Sequence, residues 1–233
     1  MLTRKFTYIT IPIGNPLDLT ERANQAILES QVLLAEEIKP ARSLLKSLNL
    51  DFYEGEFSAQ TNGIYLFRVD ENLSNEDKNY LRTHVLPASQ RVGYISGAGS
   101  PLFEDPGAIL KPLLHGFEVE RIPGVTSLSA LMMYFPEEIR TFQMAGFLSQ
   151  KSQDRINAIA RIKQSKEPTF LMETPYRREK LLEELRLGLP GWKILLGYRL
   201  TSHQERIFLG DIPEVKTKAK ALEKGEFVLL VYP

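Results

Sequence analysis

Four short segments hold the residues that could do chemistry: 12–16 (Pro-Ile-Gly-Asn-Pro), 97–101 (Gly-Ala-Gly-Ser-Pro), 123–127 (Pro-Gly-Val-Thr-Ser) and 173–177 (Glu-Thr-Pro-Tyr-Arg). Each follows an apolar run of strand type, and each is rich in glycine, proline or small hydroxyl side chains. Glycine lets the backbone turn tightly and lets a ligand approach without meeting a Cβ. Small hydroxyls and free backbone N–H groups then supply hydrogen bonds. The segment before Leu128 also opens a helix whose first N–H groups can face an anion or carboxylate. Loops of this make-up suit the holding of a small cofactor. The second of them lies within 92–107, VGYISGAGSPLFEDPG, which reads as a buried strand, a glycine turn and a helix from Gly107 to Leu114. Strand, turn and helix in that order build ligand sites at the carboxyl ends of open α/β sheets.

Several other chemistries fail on the residues. Gly97-Ala98-Gly99 opens a G-x-G-x-x-G pattern, but position 102 is Leu, so a Rossmann fingerprint is incomplete. There is no P-loop pattern and no G-x-S-x-G nucleophile elbow. The three histidines, His84, His115 and His203, are far apart and in no metal spacing, and only His203, in the polar part of 198–206, is a functional candidate. With no cysteine, disulfides and thiolate metal sites are excluded.

The elements that must position these loops alternate along the chain. Strands are read at 6–11, 32–35, 64–69, 92–95, 117–122, 142–147, 169–172, 194–197, 205–210 and 227–231. Helices are read from near Asp18, with Glu21 as a capping box, from Pro40 to about Leu48, and over 74–86, 128–134, 154–164, 179–187 and 214–222. Residues 51–63, with Glu54 and Glu56, read as a polar loop. Ile156, Ile159, Ala160 and Ile162 mark the apolar side of the 154–164 helix, which leaves Lys151, Arg155, Arg161, Lys163 and Lys166 to solvent. The expectation is an α/β chain of two domains, 1–122 and 123–233. The N-terminal sheet should be mostly parallel and the C-terminal sheet mixed.

The 233 residues are 43% hydrophobic, enough for sizeable cores, and carry 29 basic and 29 acidic side chains. The halves differ: residues 1–122 hold 12 basic and 16 acidic side chains, residues 123–233 hold 17 and 13. That asymmetry permits an anionic macromolecular partner on the second half. No apolar run is long enough to span a bilayer and no signal-like opening is read, so a cytoplasmic protein with no membrane partner is the expectation.

YITIPIGNPLDLTERA, ISGAGSPLFEDPG, IPGVTSLSA, FLMETPYR and KGEFVLLV together resemble, in order and over nearly the whole chain, the successive signatures of the tetrapyrrole methylase superfamily. The most similar branch is the bacterial ribosomal RNA small-subunit ribose 2′-O-methyltransferases. The resemblance implies the family's two-domain α/β fold, S-adenosyl-L-methionine bound in a cleft between the domains, and a homodimer. It places Pro12, Gly99, Ser100, Pro101, Thr126, Ser127 and Met172 on the cofactor side, and it implies no metal. The acceptor implied is ribosomal RNA, with a small-molecule acceptor, tetrapyrrole-like or another metabolite, as the alternative, and a cofactor-binding protein without catalysis as the third reading.

Three departures bear on the acceptor. The ribosomal RNA enzymes read A-E-D-T-R where this chain has Ala35-Glu36-Glu37-Ile38-Lys39, and S-D-A-G-T-P where it has Gly97 for the Asp and Ser100 for the Thr. Their histidine-containing stretch has no counterpart in 51–60. A ribose hydroxyl is a poor acid and needs help in losing its proton. Glu37 and Glu173 are the carboxylates to test for that role, and Arg177 is the cation to hold a phosphate or orient a carboxylate. A surface ion pair is the plain alternative for each.

Overall fold

The computed structural model describes residues 3–101 and 106–233. Its contacts divide the chain into two units, Met1–Thr126 and Ser127–Pro233. Leu102, Phe103, Glu104 and Asp105, part of the 92–107 stretch, lie outside the described residues.

In the first unit, β1 (Lys5–Ile9), β2 (Val32–Ala35), β3 (Phe52–Tyr53), β4 (Ile64–Arg68), β5 (Arg91–Ile95) and β6 (Glu118–Ile122) form one sheet in the order β3-β4-β2-β5-β1-β6. All five strand pairings are parallel. Strands covered on both faces must be apolar throughout, and β2 is buried at all four positions. Alternate residues feed two cores. Phe6, Tyr8, Val32, Leu34, Tyr65 and Tyr94 face one way; Ile9, Leu33, Ala35, Leu66 and Ile95 face the other.

Helices α1 (Glu21–Leu28) and α2 (Ile38–Ser47) cover the second face through Ala23, Ile27, Ala41 and Leu45. The first face is covered by α3 (Asn75–Tyr80), its π-helical continuation Leu81–Val85, and a 3₁₀ helix, Pro106–Leu113. That last element is the expected 107–114 helix in tighter form. Helix α1 starts later than its reading: Pro16–Asp18 forms a 3₁₀ turn, and Thr20, not Asp18, caps α1 by accepting the Ala23 N–H at 3.1 Å. Residues 51–63 contribute the short β3 and are held by tyrosine hydroxyls. Tyr65 donates to the Gly55 carbonyl at 2.7 Å, and Tyr80 accepts the Phe57 N–H at 2.7 Å.

The second unit has a mixed sheet, β10-β9-β11-β8-β7, built from β7 (Gln143–Phe147), β8 (Thr169–Glu173), β9 (Lys193–Tyr198), β10 (Arg206–Asp211) and β11 (Phe227–Tyr232). β7 and β8 pair in parallel, and the other pairings are antiparallel. Helices α5 (Ser152–Ser165), α6 (Arg178–Gly188) and α7 (Ile212–Ala219) pack on it through Ile159, Ile162, Leu181, Leu185, Ile212 and Val215. The short α4 (Ser127–Met132) sets Leu131 against β9, where a Cβ on Gly197 would come within 2.8 Å of it.

One sequence expectation is reversed on α5. Ile156 is 59% exposed and Ala160 also faces solvent, while Arg155 is among the largest fully buried side chains. The buried positions 155, 159 and 162 follow the i, i+4, i+7 spacing of one helical face. An arginine takes the first of them because two carboxylates meet it there.

Candidate active site

The topology of the first sheet points to its own ligand position. The chain leaving β1 runs toward the β3 edge to reach β2, and the chain leaving β5 runs toward β6. The helices on those two connections lie on opposite faces, α1 with Ile9 and Leu33, the 3₁₀ helix with Phe6 and Tyr94. Neighbouring parallel strands whose connections diverge in this way leave a crevice at their carboxyl ends, where α/β sheets bind ligands.

The loops at that end are tied together. Ile11 donates its N–H to the Gly99 carbonyl at 3.0 Å in an isolated antiparallel bridge. Ser96 Oγ also reaches the Gly99 carbonyl, at 3.3 Å. Thr10, buried, joins three strand ends. Its N–H goes to the Ile122 carbonyl at 3.1 Å and its Oγ1 meets Ser100 Oγ at 2.9 Å. Its methyl would lie 2.9 Å from a Cβ on Gly124. Gly99 has φ +71°, a left-handed conformation that side chains disfavour, and a Cβ there would press on Ile13 at 3.1 Å. Pro12, Gly99, Ser100 and Pro101 thus come together in one loop cluster, Gly99 buried and the others half-buried, and Thr126 follows Gly124 by two residues. Thr10 and Glu36 were missed by the sequence reading. They sit in strand-end runs, and nothing in those runs marks them as the points where loops are pinned.

At the carboxyl end of β2, Glu36 accepts the Gly97 N–H at 3.0 Å. Glu37 is exposed, and its carboxylate leans over Gly97.

The second unit carries the remaining candidates. Ser127 is the first residue of α4, and Met172, half-buried, lies in β8 opposite Val228 and Phe147. Glu173, the last residue of β8, has a side chain with no exposure at all, and that of Arg155 is only 1% exposed. Glu173 Oε2 takes Arg155 Nη1 at 2.9 Å, and Oε1 takes Arg177 Nη2 at 2.7 Å and the Thr174 N–H at 2.8 Å. Arg155 continues to Glu184 through Nε at 2.8 Å and Nη2 at 2.6 Å, and its Nη1 also reaches the Leu148 and Ser149 carbonyls. Burial lowers the Arg155 pKa, but hydrogen bonds to Glu184 and Glu173 outweigh that, so the net shift is upward and the charge stays on. A carboxylate with both oxygens engaged by guanidinium groups is built to hold Arg177. His203 is exposed in the turn between β9 and β10. Among the described residues no group of three or more His, Asp or Glu is placed to hold a metal.

A family model for the tetrapyrrole (corrin/porphyrin) methylases matches residues 5–216. A protein of Borrelia garinii named ribosomal RNA small subunit methyltransferase I is 30% identical over 225 residues, covering 94% of this chain and 95% of that one. A protein of the same name from Neisseria meningitidis is 25% identical over 230 residues, 97% of this chain and 75% of its own. The fold also matches the uroporphyrin-III C-methyltransferase of Thermus thermophilus, solved with S-adenosylhomocysteine, at a TM-score of 0.65 and 20% identity over 98% of this chain and 97% of that one. Diphthine synthase gives a TM-score of 0.69 at 14% identity, with 97% and 89% covered. The loops at the switch point of the first sheet, the mixed second sheet and a match along nearly the whole chain agree: this chain belongs to the tetrapyrrole (corrin/porphyrin) methylases, S-adenosylmethionine-dependent methyltransferases.

Proposed function

We propose that the chain methylates small-subunit ribosomal RNA in the cytoplasm, on the 2′-hydroxyl of a ribose. The observation that carries this reading is the match, at 30% identity and over nearly its full length, to a ribosomal RNA small subunit methyltransferase I. S-adenosylmethionine supplies an electrophilic methyl group on a sulfonium. The residues of the first unit fit it: a turn without a side chain at Gly99, with small hydroxyls at Thr10, Ser100 and Thr126. Pro12, Gly99, Ser100, Pro101 and Thr126 would hold it there, and Ser127 and Met172 are the candidates on the second unit. Methyl transfer is an in-line displacement, so positioning of the acceptor supplies much of the rate. Glu173 fixes the Arg177 guanidinium, which can then meet a phosphate. Exposed Lys151, Arg161, Lys163 and Lys166 on or beside α5 add charge suited to an RNA backbone.

A homodimer belongs to the same reading. β7 is an edge strand of its sheet and shows Phe142, Met144 and Phe147 on or beside it to solvent, and Met133 after α4 is 87% exposed. An apolar sheet edge left uncovered invites aggregation, and a second copy would cover it. Among the described residues no helix is long and apolar enough to cross a membrane.

Gly97, Ile38 and Lys39 favour the second reading, a small-molecule acceptor, since they alter the acceptor-side motifs while the cofactor-type loops stay. The test is methyl transfer from a tritiated donor to undermethylated small ribosomal subunits and, in parallel, to uroporphyrinogen III, followed by nucleoside analysis. S-adenosylhomocysteine should raise Tm by mass action. Label in a 2′-O-methyl nucleoside supports the RNA reading. Label only in the tetrapyrrole replaces it with the second, and binding without transfer to either leaves a protein that holds the cofactor alone.

A further inference from the structure

β2 and β5 are neighbours in the sheet, with Ala35 opposite Ile95. Two residues further on, past the ends of both strands, the chain reaches Glu37 after β2 and Gly97 after β5. A Cβ built on Gly97 would lie 2.7 Å from Glu37 Oε1, 3.1 Å from its Cδ and 3.4 Å from its Cγ. Carbon does not come that near a carboxylate oxygen, so Glu37 holds this position only over a residue without a side chain. The backbone gives no other reason for glycine here, because Gly97 is not among the positive-φ residues. Glu36 fastens the turn: its carboxylate takes the Gly97 N–H and its own N–H goes to the Ile95 carbonyl at 3.1 Å. The Glu37 carboxylate, by contrast, makes no hydrogen bond or ion pair among the described residues. It also stands on the β2 side of the β5 turn, while the loops proposed to hold the cofactor follow β5, β1 and β6.

We propose that Gly97 and Glu37 act as a pair: the missing side chain at 97 clears the space through which the Glu37 carboxylate reaches over the β5 turn, where it hydrogen-bonds to and orients the acceptor's hydroxyl. This rests on the methyl-transfer reading and adds the group that meets the acceptor. The S-D-A-G-T-P pattern carries its carboxylate at position 97; here a carboxylate enters the same space from β2.

Full-length Glu37→Ala, Gly97→Ala, Glu37→Ala/Gly97→Ala and Glu37→Ala/Gly97→Asp are compared with the wild type. Measured are kcat and KM on small ribosomal subunits, or on uroporphyrinogen III if the wild type methylates that instead, together with S-adenosylhomocysteine affinity and Tm. Each single alanine should lower kcat/KM by on the order of tenfold or more, as loss of an orienting contact does. Tm and S-adenosylhomocysteine affinity should stay as they are, because a methyl group added at position 97 displaces only the end of a flexible exposed side chain. The double alanine should be no worse than Glu37→Ala, the signature of two residues acting through one contact. Gly97→Asp placed in the Glu37→Ala background should restore part of the loss. Full activity of either single variant overturns the pairing, as does a Gly97→Ala effect that is the same with and without Glu37. Weakened S-adenosylhomocysteine binding in Glu37→Ala also overturns it, since the carboxylate would then serve the cofactor. A folded wild type that methylates neither acceptor overturns the methyl-transfer reading and the pairing with it, whereas an active wild type matched by Glu37→Ala overturns the pairing alone.

Discussion

Replacing Arg155 by Met is the sharpest perturbation of the second unit. Arg155 and Glu173 are both buried, and the guanidinium reaches Glu173 at 2.9 Å, Glu184 at 2.6 Å and two carbonyls of the loop after β7. Methionine keeps the stem and removes the charge. Glu173 would then keep Arg177 and the Thr174 N–H but lose its fully buried partner, and one oxygen would face an apolar side chain. Breaking a buried pair from one side costs roughly 3–5 kcal/mol. At about 2–4 °C per kcal/mol for a chain of this size, Tm should fall by on the order of 10 °C. Replacing both partners, Arg155→Met with Glu173→Leu, removes the stranded charge, so calorimetry should show the double variant recovering part of the loss. Glu173→Gln, assayed well below its Tm, separates the two roles of this carboxylate. A positioning residue should raise KM for the acceptor by loosening Arg177, whereas a proton acceptor should cost about 10²-fold or more in kcat at unchanged KM. A Tm for Arg155→Met within about 1 °C of wild type would refute the ion-pair reasoning, because no buried charge could then have been stranded.

Gly99→Ala forces a side chain into φ +71° and onto Ile13, so a loss of about 1–2 kcal/mol is expected, read by calorimetry as a Tm lower by a few degrees; an unchanged Tm would mean the loop re-forms at negative φ. Light scattering at micromolar concentration should give twice the chain mass, and Met144→Lys on the exposed edge strand should shift it to the monomer; a wild-type monomer removes the dimer. Glu183, held down to about 2 first by Arg186 and then by Lys216, is depressed when folded, so its contribution is complete above the ordinary carboxylate pKa and is lost as pH falls toward 2. Glu183→Gln should therefore flatten the fall of Tm between about pH 5 and pH 3, and equal slopes would contradict the shift.

The sheet strands were legible because burial on both faces demands apolar runs, which β2 carries along its whole length, β5 after Arg91, and β8 between its polar ends. What escaped was held by partners distant in the chain. The 51–63 segment owes its shape to hydroxyls of Tyr65 and Tyr80, and a polar stretch gives no sign of which tyrosine will reach it. On α5 the reading of Ile159 and Ile162 as inward was sound, but Ile156 and Ala160 were read inward where Arg155 takes the remaining buried position. Arg155 belongs inside only because Glu173 and Glu184 arrive from β8 and α6, 18 and 29 residues away.

The same distinction governs the candidate site. Glycine-rich turns after strands announce a ligand loop by composition alone, which is why the 97–101 segment could be named before its geometry was known. Glu37 and Gly97 could be named too, but as two unrelated departures, one a carboxylate in an altered motif and one a lost carboxylate. Only strand order joins them. Two further strands, β3 and β4, separate β2 from β5 along the chain, yet Ala35 and Ile95 lie side by side in the sheet, so a change on one strand is felt by a side chain on the other. A glycine that its own backbone does not require is best explained by what crosses above it, and at position 97 that is the Glu37 carboxylate.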